Sequence, residues 1–305
     1  MKMNETTLAS GLMWFRRDLR TRDNAALHRA LSCCQQVHCV FVFETAILQD
    51  LPRADRRVEF IRESLLELDA ELRRLSQRAG AGLIVRHALA SDAIPELARQ
   101  LGVQTVFAAR DYEPQARQRD ALVQSRLAQH GIGFETCKDQ VIFEEREILT
   151  QTGSVYSVFT PYKKNWLARL QAQHLRDHDI GALAQRLAER PAPLAQPVPT
   201  LAQIGFEAGL LDPGKLPPGM RGGERLFADF FERMDDYHAT RDFPAVKGPS
   251  YLGVHLRFGT LSIRRAVSLA WMRRLQGSAG AAVWLQELAW RDFYFQILAN
   301  FPHFP

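Results

Sequence analysis

The segment AAVWLQELAWRDFYFQILANF, residues 281–301, gathers the residues best suited to chemistry. Trp284, Glu287, Arg291 and Tyr294 are spaced three, four and three apart, so a helix places them on one face. Trp290 lies within a turn of both Glu287 and Tyr294. An indole beside a carboxylate and a guanidinium makes a platform for a flat, hydrogen-bonding ligand. The indole stacks, the arginine pairs with phosphate, and the carboxylate accepts from a ring N–H. The same spacing also suits a core helix whose aromatics pack inward and whose Glu287 and Arg291 form an i,i+4 ion pair.

Upstream, residues 235–262 offer Tyr237, Arg241, Lys247, Ser250, His255 and Arg257. Lys247 to Gly253 is a turn-rich stretch ahead of a helix, of a kind whose backbone N–H groups can hold phosphate. Near the N-terminus, LMWFRRDLRTRDNAAL packs Arg16, Arg17, Asp18, Arg20, Arg22 and Asp23 into a strand-to-helix turn. That density suits a ligand-facing or domain-facing loop, or a solvated turn with internal ion pairs. No GxGxxG, GxSxG or Walker A motif is present. His174 and His178 have metal-like spacing beside Asp177 and Asp179, but no third-ligand motif accompanies them. They read as a solvated helix end, and no metal site is expected. The four cysteines, Cys33, Cys34, Cys39 and Cys137, lack CxxC spacing, which suits thiols in a reducing cytoplasm.

The elements that must position these residues follow from periodicity. The spans 11–15, 37–43, 82–87, 104–108 and 133–137 are short and apolar, as strands are. Helical patterns alternate with them, clearest over residues 55–78, where Val58, Ile61, Leu65, Leu68, Leu72 and Leu75 recur at three- and four-residue steps. Further helices are expected over 93–101 and 115–129. The alternation implies an α/β, doubly wound parallel sheet of five strands, Rossmann-like, over residues 10–140. In such sheets ligands collect at the carboxyl ends of the strands, where the Arg16–Asp23 turn lies. Residues 141–220 carry seven prolines between Pro191 and Pro218 and read as a long connector crossing the surface, with one helix over 161–170. Residues 221–305 read as all-α, with helices over 224–240, 262–275 and 281–299. The net charge of +5 is compatible with binding nucleic acid or phosphate. No apolar run approaches the roughly 18 residues of a membrane span, and the first ten residues lack the apolar core of a secretion signal.

Seven segments together resemble the DNA photolyase/cryptochrome family, closest to the bacterial cyclobutane pyrimidine dimer photolyases. They are WFRRDLRTRDNAAL, DRRVEFIRESLLELDAELR, RDYEPQARQRD, VFTPYKKNW, TRDFPAVKG, LRFGTLS and VWLQELAWRDFY, in the family's order. The resemblance implies an α/β antenna-type domain, a connector, and the N-terminal part of a helical FAD- and DNA-binding domain. It implies light-driven repair, in which excited reduced FAD donates an electron to a dimer flipped out of duplex DNA. The partner is then DNA containing pyrimidine dimers, with no membrane, and the full-length form is a monomer. The alternative is a cryptochrome-type blue-light receptor that binds flavin without repair.

Carried over residue by residue, Tyr237 resembles an FAD contact. The flavin-phosphate loop falls on Pro249, Ser250, Tyr251, Leu252 and Gly253. Trp284 and Arg291 resemble flavin-pocket residues. Glu287 and Trp290 resemble the carboxylate and indole that meet the dimer. Arg241, Arg291 and Tyr294 resemble DNA contacts. Three departures stand out. Pro249 and Gly253 replace hydroxyl residues of the loop, and Pro249 lacks an N–H donor. Ala116 stands where folate-antenna members have an acidic residue, so a folate antenna is not expected and a different antenna or none is. The family's helical domain continues beyond the position of Pro305, so the chain reads as a fragment or truncated product. These 305 residues alone are then expected neither to retain FAD tightly nor to repair DNA.

Overall fold

The computed structural model describes residues 7–209 and 211–301. Its first part alternates β1 (Leu8–Phe15), α1 (Ala25–Cys33), β2 (Cys34–Glu44), the single turn α2 (Thr45–Leu48), α3 (Arg56–Ser76), β3 (Leu83–Ala88), α4 (Ala90–Gln100), β4 (Thr105–Ala109), α5 (Pro114–Ala128) and β5 (Gly133–Cys137). The strands are all parallel, in the order β3-β2-β1-β4-β5, so the chain reverses its direction of travel between β1 and β4. This is the doubly wound sheet expected from the alternation. Pleating splits β1 between two apolar layers. Met13 and Phe15 pack with α1 and α3, and Leu12 and Trp14 with α4 and α5. Asn24 and Asp55 cap α1 and α3, each accepting a backbone N–H. Val58, Leu65, Leu68 and Leu72 of the helical repeat are buried.

The connector does not simply cross the surface. Helix α6 (Phe159–Arg169) sends Tyr162 and Trp166 into the helical core. Farther on, Ile180, Ala184, Leu187, Val198, Leu201, Ile204 and Phe206 complete the core beneath the sheet, and Ala188 N–H donates to the Val37 carbonyl at 2.9 Å. Proline denies this segment a long helix, yet three short 3₁₀ turns still deliver Ala184, Leu194 and Ile204 inward. His174 lies half-exposed in the last turn of a 3₁₀ helix at Ala172–Leu175, and His178 lies half-exposed beyond it. The His174 ring packs on Phe143 at 4.8 Å, and the His178 ring on His28 at 5.4 Å.

The last part is helical: α7 (Gly219–Arg233), α8 (Tyr237–Thr240), α9 (Gly253–Phe258), α10 (Ile263–Leu275) and α11 (Ala279–Asn300). The single helix expected over 224–240 is broken by a 3₁₀ turn at Met234–Asp236. Gly280 of α11 lies against the carbonyls of Met234 and Asp235, where a Cβ would collide. No helix among the described residues is long and apolar enough to cross a membrane.

The charged turn after β1 joins the two parts. Arg20 and Arg264 share Asp139, at 2.8 and 2.9 Å, and Arg264 also holds Asp23 at 2.8 Å. Ser262 donates to Asp23, Arg20 to the Gly259 carbonyl, and the Leu19 N–H to the Phe258 carbonyl. Asp139, Arg20 and Arg264 are all buried. Burial pushes the Asp139 carboxyl up, but Arg20 and Arg264 more than reverse it and hold it below the usual carboxylate range. Arg16 turns to Asp120, and Arg17 shares Glu113 with Arg257 of α9. The turn is a docking device, in which Arg16, Arg17, Arg20 and Asp23 each pair with a charged group distant in sequence.

Candidate functional site

Helix α11 is capped by Ser278, whose hydroxyl accepts the Ala281 N–H. Its apolar face is core: Trp284 is buried between Phe227 and Phe230 of α7, with ring centroids 5.9 and 4.8 Å away. Trp284 therefore lies behind the surface rather than on it. One turn on, Glu287 meets Arg241, with Nη1 2.5 Å from Oε1. The Arg241 guanidinium lies 5.6 Å from the Tyr237 ring, and that ring packs edge-on against Phe230 at 5.6 Å. Burial, and then Glu287, push the Tyr237 phenol up. Three of the expected residues, Tyr237, Arg241 and Glu287, thus form one half-exposed cluster.

Trp290 forms a second, adjoining cluster. Its ring is stacked on Phe159 at 3.5 Å and 13°, and on Tyr294 at 5.4 Å and 21°. Phe293 packs edge-on at 5.6 Å. Tyr294 is 62% exposed and forms the outer end of the stack. Phe159 was not anticipated as a site residue. Its signal is the 159, 162, 166 spacing, which puts it on the face of α6 that carries Tyr162 and Trp166. Lys163, on the same helix, donates to Gln286 at 2.9 Å and lies over the Phe159 ring.

Arg291 goes elsewhere. It donates to the carbonyls of Gln140 and Leu256 and lies over the Phe295 ring at 4.6 Å. Burial lowers its pKa to about 10. The i,i+4 pair with Glu287 does not form, because carbonyls closed off from water need a donor more than a half-exposed carboxylate does. Next to it, fully buried Asp292 accepts from the Ile142 and Phe143 N–H groups and from the Trp166 indole, at 3.0, 3.1 and 2.9 Å. Asp292 so ties α11 to α6 and to the start of the connector.

The loop before α9 is latched by Arg233 of α7, another residue the sequence did not single out. Its guanidinium donates to the carbonyls of Lys247, Gly248 and Pro249. Leu252 is buried in the helical core, and Tyr251 is held at φ +58° and lies half exposed. The Ser250 hydroxyl accepts the Leu252 N–H at 3.4 Å. The backbone N–H groups of Gly253, Val254 and His255 meet no acceptor among the described residues, and space beside Gly253 is open. His255 itself is a core residue: Nδ1 pairs with Thr260 at 2.8 Å, and burial lowers its pKa to about 4. A cleft of about 560 Å³ opens beside Asp23 and Arg265 at the docking interface, away from both clusters.

The family model described as DNA photolyase matches residues 11–190, more than half of the chain. The chain belongs to the DNA photolyase family. This photolyase-family chain is 34% identical over 300 residues to a deoxyribodipyrimidine photo-lyase of a Synechococcus species, covering 95% of the chain and 60% of that relative. A deoxyribodipyrimidine photo-lyase of Vibrio cholerae is 33% identical over 295 residues, covering 96% and 62%. The chain thus spans about three fifths of these two relatives. An uncharacterised 31.6 kDa protein of another Synechococcus strain is 32% identical, and there the match covers 92% of the chain and 98% of the relative. Among solved structures, a class III photolyase of Agrobacterium tumefaciens superposes with a TM-score of 0.80 at 24% identity, over 99% of this chain and 61% of that one. That likeness supports the fold described above.

Proposed function

We propose that the chain serves light-driven repair of cyclobutane pyrimidine dimers in DNA, with its α11 surface facing the lesion. The observation that carries this reading is that α11 sets Glu287, held in its cluster with Tyr237 and Arg241 of the α8 region, one turn from the Trp290–Tyr294 stack. A flipped base stacks on aromatic rings, and Glu287 accepts its ring N–H. Arg241 pairs with the backbone phosphate.

The residues also fit a flavin dinucleotide in chemical type. The donor set of the Gly253 and Val254 amides, with open space beside Gly253, suits its phosphates. Ser250, Tyr251 and Leu252 would shape that loop, with Pro249 contributing a carbonyl anchor rather than a donor. Tyr237 would meet the ring system, Trp284 would back it through Phe230, and Arg291 would brace α11 against α9. Bound reduced FAD would supply an electron on illumination and recover it once the cyclobutane ring has opened. No antenna group is assigned.

Binding of a duplex carrying one thymine dimer, compared with the undamaged duplex, tests the reading. Tighter binding of the damaged duplex is expected, and Trp290→Ala should remove about tenfold of it. Equal affinity for both duplexes overturns the repair reading. Flavin photoreduction without dimer preference would favour a cryptochrome-type receptor. One feature favours that second reading: Phe159 and Tyr294 already occupy the rings of Trp290.

A further inference from the structure

Arg241 stands where two anions compete for it. In the protein alone it holds Glu287 at 2.5 Å, leans over Tyr237 and approaches Asp242 at 3.4 Å, with its side chain 32% exposed. Glu287 has no other ion-pair partner among the described residues. Arg291, one turn away, is committed to the Gln140 and Leu256 carbonyls, and Lys163 to Gln286. While the pair is closed, one carboxylate oxygen is masked and the guanidinium is partly neutralised. A phosphate that draws the guanidinium outward uncovers the carboxylate in the same movement.

We propose that Arg241 is a hand-over residue, masking Glu287 in the free protein and releasing it when a DNA phosphate takes the guanidinium. Base recognition by Glu287 is thereby coupled to engagement of the backbone. The inference rests on the reading of α11 as the DNA-facing surface, and it adds the coupling between two of its residues. The coupling is reciprocal. Anything that removes Glu287 must strengthen Arg241 toward phosphate, because the competing partner is gone.

A double-mutant cycle on the full 305-residue chain tests it, with Glu287→Gln, Arg241→Gln and both together. Affinity is measured for an undamaged duplex and for the same duplex with one thymine dimer. Glu287→Gln is expected to tighten binding of the undamaged duplex about two- to fivefold, the coupling of an exposed ion pair. In the Arg241→Gln background the gain should vanish. Simple removal of a negative charge would raise affinity equally in both backgrounds, so equal gains overturn the hand-over, as does weaker binding by Glu287→Gln alone. Arg241→Gln should also lower the slope of log affinity on log salt by about one. An unchanged slope means that Arg241 does not meet phosphate, and the proposal falls. Arg241→Lys, which keeps the charge, should restore the slope, and thermal melts confirm that each variant is folded. Coupling without dimer preference leaves the hand-over standing for bare DNA and removes the repair reading. No DNA binding at all overturns both.

Discussion

Buried acceptors set the residue-scale chemistry of α11. Asp292 Oδ1 and Gln296 Oε1 find no donor among the described residues, and they lie one turn apart on the same helix. Burial pushes the Asp292 carboxyl up to about 6, against the pull of the Trp166 indole, Arg291 and two backbone N–H groups. A protonated Asp292 would bring a donor to this pair of acceptors. Because its folded pKa lies above the unfolded one, Asp292 supports folding fully below about pH 4, and that support is lost as pH rises through about 6. Asp292→Asn keeps an acceptor for the same N–H groups and cannot ionise. Its stability relative to wild type should therefore rise between pH 4 and 6, by about 3 kcal/mol, and level off above. Urea unfolding at several pH values measures this, and a difference that does not change with pH would refute it. Glu287 and Trp290 were legible as chemistry-bearing residues from spacing alone. The partner of Glu287 was not, because helical spacing shows which residues could meet and not what else competes for them.

At the scale of elements, the turns decide where the helices lie. Gly259 ends α9 at φ +66°, with its α-carbon against the Arg17 carbonyl and the Asp18 backbone. A Cβ there would collide with the turn after β1, so Gly259→Ala should cost about 1–3 kcal/mol. An unchanged denaturation midpoint would show that the close approach is not needed. Strands and long helices were legible because each carries its own period. The break after α7 was not, since it comes from the approach of Gly280 in α11, 46 residues beyond Met234. Neither was the role of α6, whose Phe159 acquires its meaning only beside Trp290.

For the whole molecule, the interface between the α/β part and the helices is built on buried charge. Arg264 faces two carboxylates, Asp23 and Asp139, and is only 5% exposed. Arg264→Met would leave excess negative charge in a closed interface, at a cost of about 3–5 kcal/mol. The chain should then become sensitive to limited proteolysis in the proline-rich stretch 191–218. Resistance equal to that of the wild type would mean that the two parts are held by apolar contact alone.

By itself the sequence determined the α/β class, the five strands and the family, because periodicity and long motifs are local properties of the chain. It also marked Arg16–Asp23 as unusual without saying what the charges face. Tertiary structure alone decided that they face Arg264, Gly259 and Glu113, that Arg241 rather than Arg291 holds Glu287, and that Phe159 covers Trp290. Each of these is a choice among partners distant in sequence. Burial and unmet hydrogen bonds settle such choices only when the whole chain has closed around them.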